Sequence, residues 1–172
     1  MKFVSCAVIM KRNHGKLPFF RDRKTLSQAI DALESTTTKS SVHVFAHLLD
    51  SCAKLHDIAS AQKLHSFIIS NGVLHRLPQV SDHLIRMFSS FGLLQEANRV
   101  FDEVLHPSVY TWNALISAYV NLGHSRKGFL LYEKMQRKGI IPDKFTYLCV
   151  LKSCSKLLDF CQGESIHDSI IK

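Results

Sequence analysis

The sequence predicts an all-α protein: an α-α superhelix, a right-handed solenoid of helix-turn-helix repeats. Three observations predict it. Residues 45–70 realign with residues 147–172 at an offset of 102, with nine identities (Leu49/Leu151, Ser51/Ser153, Cys52/Cys154, Lys54/Lys156, Leu55/Leu157, Asp57/Asp159, His65/His167, Ile68/Ile170 and Ile69/Ile171). Two shorter relatives lie between these copies, because Leu84-Ile85 with Phe88 and Gly92 matches Leu115-Ile116 with Tyr119 and Gly123 at an offset of 31. Finally, apolar residues recur at i, i+3, i+4 and i+7, and strict alternation is absent, so the segments read as helices and not strands. Units recurring every 20–50 residues or so bury their apolar faces only against their neighbours, which makes an array.

Taken in order, the chain opens on a basic segment. Its first 21 residues hold Lys2, Lys11, Arg12, Lys16 and Arg21 and no acid. That pattern reads as an organelle transit peptide. A secretory signal fits less well, since the apolar stretch of residues 4–10 is short and Lys11-Arg12 follows it at once. Leu26, Ala29, Ile30 and Leu33 make one short apolar stripe, the remnant of a degenerate unit, and residues 36–41 read as its trailing loop.

Four helical hairpins follow. The first carries Phe45, Leu48, Leu49 and Cys52, then Ala61, Leu64, His65 and Ile68. The second carries Leu84, Ile85 and Phe88, then Ala97, Val100, Phe101 and Val104. The third carries Trp112, Leu115, Ile116 and Tyr119, then Gly128, Leu131, Tyr132 and Met135. The fourth carries Tyr147, Val150, Leu151 and Cys154, then Gly163, Ile166, His167 and Ile170. Gly92 and Gly123 stand where leading helices should end in a left-handed cap. Asn71-Gly72, Pro78, Pro107 and the run Gly139-Ile140-Ile141-Pro142-Asp143 punctuate the units. Eight helices joined by short turns are expected.

Composition narrows the function. Hydrophobic content of 46% suits a folded chain. The net charge is +8; five of those charges fall in residues 1–41, leaving the repeats mildly basic, which suits a polyanionic partner without requiring one. The five cysteines form no Cys-x-x-Cys pair and read as small buried hydrophobes of a reducing compartment. No apolar run approaches the roughly 18 residues that span a bilayer. His65 and His167 read as core histidines, and His43 and His47 likewise, since no ligand partners stand at metal spacing. Arg126, Lys127, Lys134, Arg137, Lys138 and Lys144 read as a solvated basic face.

The units frame without gaps as 42–77 (36 residues), 78–108 (31), 109–143 (35) and an incomplete 144–172 (29). This long, short, standard, long order resembles the pentatricopeptide repeat family, in its plant subclass of alternating repeat lengths. VYTWNALISAYVNLGHSRKGFLLYEKMQRKGIIPD is similar to a standard repeat of that family. LLDSCAKLHDIASAQKLHSFIIS and VLKSCSKLLDFCQGESIHDSIIK are similar to the long variant, and HLIRMFSSFGLLQEANRVFDEV to the short one. The tetratricopeptide repeat, a protein-interaction scaffold, is the rival reading; its uniform period of about 34 residues and W-x2-L-G-x2-Y pattern fit poorly, because Ile116 stands where its Gly belongs.

The resemblance implies a reader of single-stranded organellar RNA, one base per repeat. It implies that the fifth and last residues of each repeat hydrogen-bond a base edge while the second packs on base faces. In the standard repeat these are Asn113, Asp143 and Tyr110, and an Asn with Asp resembles repeats that prefer uridine. Tyr110 departs from the usual aliphatic residue and could stack on a base. The short repeat offers Asp82 and Ser108, a pairing without a clear preference. The long repeats offer Ala46 with Leu77, and Leu148, none of which reads an edge by hydrogen bonding. So few repeats make a weak reader, whose specificity must come from further repeats.

Outside that register, an Asn near a helix start reads as a backbone cap and an Asp after Pro as a turn residue. The sequence carries no nucleophile–base pair, phosphate-cradling loop or zinc-deaminase signature, so it reads as a binder that is not itself an enzyme and needs no cofactor. Any chemistry in RNA editing or other processing would come from editing factors or a deaminase supplied in trans. Mitochondrion is the expected compartment, with chloroplast as the alternative. The final residue, Lys172, falls within an apolar helix stripe, which reads as a truncated array.

Overall fold

The computed structural model describes residues 20–35, 41–157 and 166. The basic leader through residue 19, the loop at 36–40 and the trailing helix expected in the last unit, with Cys161, Gly163 and His167, lie outside the described residues.

The described residues are all-α, without a strand. Nine helices run in order: α1 Arg23–Ser35, α2 Val42–Leu55, α3 Ile58–Ser70, α4 Val73–Arg76, α5 Val80–Ser90, α6 Leu94–Glu103, α7 Val109–Asn121, α8 Ser125–Arg137 and α9 Lys144–Leu157. Most connections are two to six residues long, as hairpin packing requires. The chain divides into two compact units, one through Met87 and one from Phe88, so the division falls inside α5.

In the first unit α1 packs on α2 and α3, which pack on each other. The short stripe read as a degenerate remnant is therefore a full helix with Leu26, Ile30 and Leu33 buried. Asp22 starts α1 by accepting the Thr25 N–H at 2.8 Å. Arg23 then reaches Leu55 O and His56 O at 3.3 and 3.2 Å, satisfying carbonyls that the end of α2 leaves open. Leu48, Leu49, Cys52, Ala61, Leu64 and Ile68 fill the core as their spacing predicts. Burial, then the charge of Asp57, pushes the Cys52 thiol up to about 12. Cys52, Cys149 and Cys154 form no disulfide among the described residues.

Helix α4 was not anticipated. Gly72 takes a left-handed turn (φ 59°) after α3, and four residues of helix follow because Val73 and Leu74 have core to bury against.

In the second unit α7 packs on α6 and α8, and α9 packs on both α7 and α8. Gly92 and Gly123 adopt φ of 75° and 88° at the ends of α5 and α7, the left-handed geometry expected of them. Lys156 of α9 donates to Val120 O at 3.0 Å and Lys152 to Asn121 Oδ1 at 2.8 Å, so α9 covers the open end of α7. Trp112, Leu115, Ile116, Val120, Tyr132, Met135 and Val150 make the shared core. No described helix is long and apolar enough to cross a membrane.

Candidate functional site

The site is built on two helix starts that share one pattern, a capping residue followed three positions later by threonine. At α7, Ser108 Oγ accepts the Thr111 N–H at 3.3 Å, and Thr111 Oγ1 accepts the Ser108 N–H at 3.3 Å. At α9, Asp143 Oδ1 accepts the Phe145 and Thr146 N–H groups, each at 2.9 Å, and Thr146 Oγ1 accepts the Asp143 N–H at 3.1 Å. Both are reciprocal capping boxes that satisfy amides left open in a first turn.

The α9 start does something more. Asn113 lies one turn into α7, and its Nδ2 donates to Asp143 Oδ1 at 2.9 Å. The Thr146 hydroxyl donates to Asn113 Oδ1 at 2.6 Å. These contacts leave one orientation for the amide. Turned over, it would set its oxygen against the Asp143 carboxylate, two acceptors with no proton between them. Among the described residues, one N–H and one lone pair of Asn113 stay uncommitted on a half-exposed side chain. A rigid group with an adjacent donor and acceptor is what a nucleobase edge can pair with.

Burial alone would push the Asp143 carboxyl up. The hydrogen bonds from Thr146, Asn113 and Phe145 outweigh it and hold the group below its ordinary value of 3.8. Asp143 is therefore a carboxylate at neutral pH, and its share of stability is present above that ordinary value. It is lost as pH falls through the lowered one. Asp143→Ala is expected to cost about 1 kcal/mol at neutral pH, the worth of a cap. The gap in melting temperature between variant and wild type should close as pH drops below 3.8; a gap that persists at lower pH would show that the carboxylate is not what holds this helix start.

Of the five residues predicted for the site, Asn113 and Asp143 are joined directly. Asp143 caps α9 and also holds Asn113. Asn113 is not a cap; Ser108 fills that place for α7. The Ser108 hydroxyl is spent on capping. Asp82 is only 7% exposed in the first unit, beside the Ser81 hydroxyl at 3.4 Å. Tyr110 stands 64% exposed two residues beyond the Ser108 cap. Sequence reasoning missed Phe145, which is 56% exposed at the equivalent place beyond Asp143. It also missed Thr146, fully buried, which orients Asn113. The Asp-x-x-Thr capping pattern was the available signal for Thr146.

The basic residues Arg126, Lys127, Lys134, Arg137, Lys138 and Lys144 are all exposed. His43 is exposed, while His47 is half-buried with its ring 5.5 Å from that of Phe20. Among the described residues, no cluster of three His, Cys, Asp or Glu side chains could hold a metal ion.

Comparison with known proteins places this geometry. A family model described as the PPR repeat family matches residues 107–156, and one described as pentatricopeptide repeat domain matches residues 81–121. A chloroplastic pentatricopeptide repeat-containing protein of Arabidopsis thaliana is 30% identical over 147 residues, covering 86% of this chain and 15% of the relative. A second from that plant is 37% identical over 127 residues (73% and 18%). A mitochondrial one is 28% identical over 160 residues (93% and 14%). The chain thus spans under a fifth of the length of these relatives. Among solved structures, the pentatricopeptide repeat protein PPR10 in complex with an 18-nt psaJ RNA element superposes with a TM-score of 0.62 at 17% identity, covering 92% of this chain and 25% of that one. PPR10 from maize, in a further crystal structure, gives 0.55 at 21% identity (93% and 25%). These likenesses bear on the fold, which is that of consecutive helix-pair repeats.

Proposed function

We propose, from the premise that this chain carries pentatricopeptide repeats, that it binds single-stranded organellar RNA and reads one nucleotide through Asn113. The locked amide of Asn113 between Asp143 and Thr146 carries the reading. Its free acceptor and donor match the N3–H and an adjacent carbonyl of uracil, and the exposed rings of Tyr110 and Phe145 offer faces for bases to stack on. Relatives of mixed compartment, one chloroplastic and one mitochondrial, support an organellar setting; the basic leader supports import, with the mitochondrion as the first compartment and the chloroplast as the second. The alternation of 36-, 31- and 35-residue units supports the plant subclass of alternating repeat lengths. Within it, the chain acts as the sequence-recognition component of an RNA-processing step such as editing. The reactive centre then belongs to another domain or to an enzyme recruited in trans.

Electrophoretic mobility shift with a short single-stranded RNA tests the reading. The protein should shift a uridine-bearing oligomer at low salt. If it engages about two phosphates, affinity should fall about sevenfold between roughly 50 and 200 mM salt. Absence of a shift at the lowest salt, or equal retention of a double-stranded oligomer, would refute it.

A further inference from the structure

We propose a second binding surface on the Phe88–Lys172 unit, separate from the reading pair: a cleft that takes an acidic peptide carrying one bulky apolar side chain. The cleft has a volume of about 490 Å³ and is lined chiefly by Phe101, Trp112, Ile140, His106, Lys134 and Lys138.

Its floor is apolar. Phe101 and Trp112 are buried and meet edge to face, with ring centroids 4.7 Å apart. Val104, Leu105 and Pro107 extend that surface from the α6–α7 connection. Leu105 is 78% exposed, so apolar surface already faces solvent there. Within the floor sits an unanswered donor. The Trp112 Nε1–H is buried and has no hydrogen-bond acceptor among the described residues, a rare state for a buried donor. A peptide carbonyl or carboxylate entering beside it would supply one.

The rim is cationic. Lys134 and Lys138 are four residues apart at the end of α8, so their ammonium groups stand on one side of the helix and repel each other. Both are exposed, and neither makes an ion pair among the described residues. The α8 dipole favours cations at this end. It does not account for their standing over an apolar floor. Among the described residues, Asp102 is the one acid on the rim. An apolar anchor flanked by carboxylates answers both features at once.

RNA answers them poorly. Stacking needs an open aromatic face, and Trp112 is only 2% exposed, whereas Tyr110 is 64% exposed. Trp112 also precedes Asn113 by one residue, about 100° around α7. The peptide and the RNA therefore approach different faces of one helix and can be bound together, which suits a reader that recruits a protein partner.

Trp112 is the only tryptophan of the chain, so its fluorescence reports on this cleft. Random 12-residue peptides would be selected against the 172-residue protein, and the enriched, tryptophan-free peptides titrated while following emission. Expected are peptides with several Asp or Glu beside one Leu, Ile or Phe, a saturable change in emission, and affinity at least tenfold weaker for the Lys134→Glu/Lys138→Glu variant, with its melting temperature and RNA affinity kept. The proposal falls if no peptide is enriched, if the enriched ones lack acids, or if the double variant binds them equally well. It falls equally if single-stranded RNA displaces the peptide, or if the double variant loses RNA binding, since the lysines would then serve nucleic acid.

Discussion

Asn113→Ala is expected to weaken binding of a uridine-bearing single-stranded RNA by about tenfold or more, because a paired donor and acceptor on a base edge discriminates by about 1–3 kcal/mol. Folding should be little changed. Asn113 is half-exposed, and Asp143 keeps its bonds to Phe145 and Thr146 when the amide is gone. Loss should be specific: an oligomer with the uridine replaced should bind wild type and variant alike. Thr146→Val gives a graded version. It removes the hydroxyl that donates to Asn113 Oδ1 at 2.6 Å while leaving the amide in place. The side chain could then turn, and part of the uridine preference should go while Tyr110 and Phe145 continue to contribute stacking. Measured affinities that do not change in Asn113→Ala would remove this residue from recognition, whatever happened to the rest of the surface.

The reach of the sequence can be traced through those same residues. Asn113 and Asp143 are named together by the family resemblance, which implies the fifth and last places of one unit, although thirty residues separate them. Helical spacing located the buried stripes because period 3.6 is a local property. What escaped was set by contacts between distant residues or by small energetic margins. Thr146 gave a capping pattern, yet its bond to Asn113 depends on how α9 settles against α7. Phe145 read as one more apolar residue until its exposure was known. Helix α4 is one turn long, too short for any periodicity, and it forms because Val73 and Leu74 find core to enter. Nor did the stripe through Gly128 reveal how closely α7 lies against it.

That closeness makes Gly128 a sensitive position of the second unit. A Cβ placed there would lie 2.6 Å from Val120 Cγ2, with Ile116 O and Ser153 Oγ at 3.5 and 3.6 Å. Val120 of α7 therefore stands in the way of a methyl group, while Ile116 O and Ser153 Oγ sit at ordinary contact distance. Val120 cannot swing aside easily; it is fully buried, and β-branching leaves it few rotamers in a helix. Ala61 and Ala97 hold the corresponding place in their units and are fully buried, so a methyl group is tolerated where the neighbour leaves room. Alanine at 128 would gain up to about 1 kcal/mol of helix propensity, against an overpacking cost of about 1–3 kcal/mol. Gly128→Ala should therefore be mildly destabilised. Gly128→Leu forces the helices apart and should lose about 3 kcal/mol, a large share of the 5–15 kcal/mol or so that holds a domain folded. Thermal melts of Gly128→Ala, Val120→Ala and the pair form a double-mutant cycle. Because trimming Val120 removes the atom in the way, the double variant should be more stable than the sum of the single losses implies, by about 1 kcal/mol. Strict additivity, or a Gly128→Leu protein as stable as wild type, would show that α7 and α8 are not in this close register.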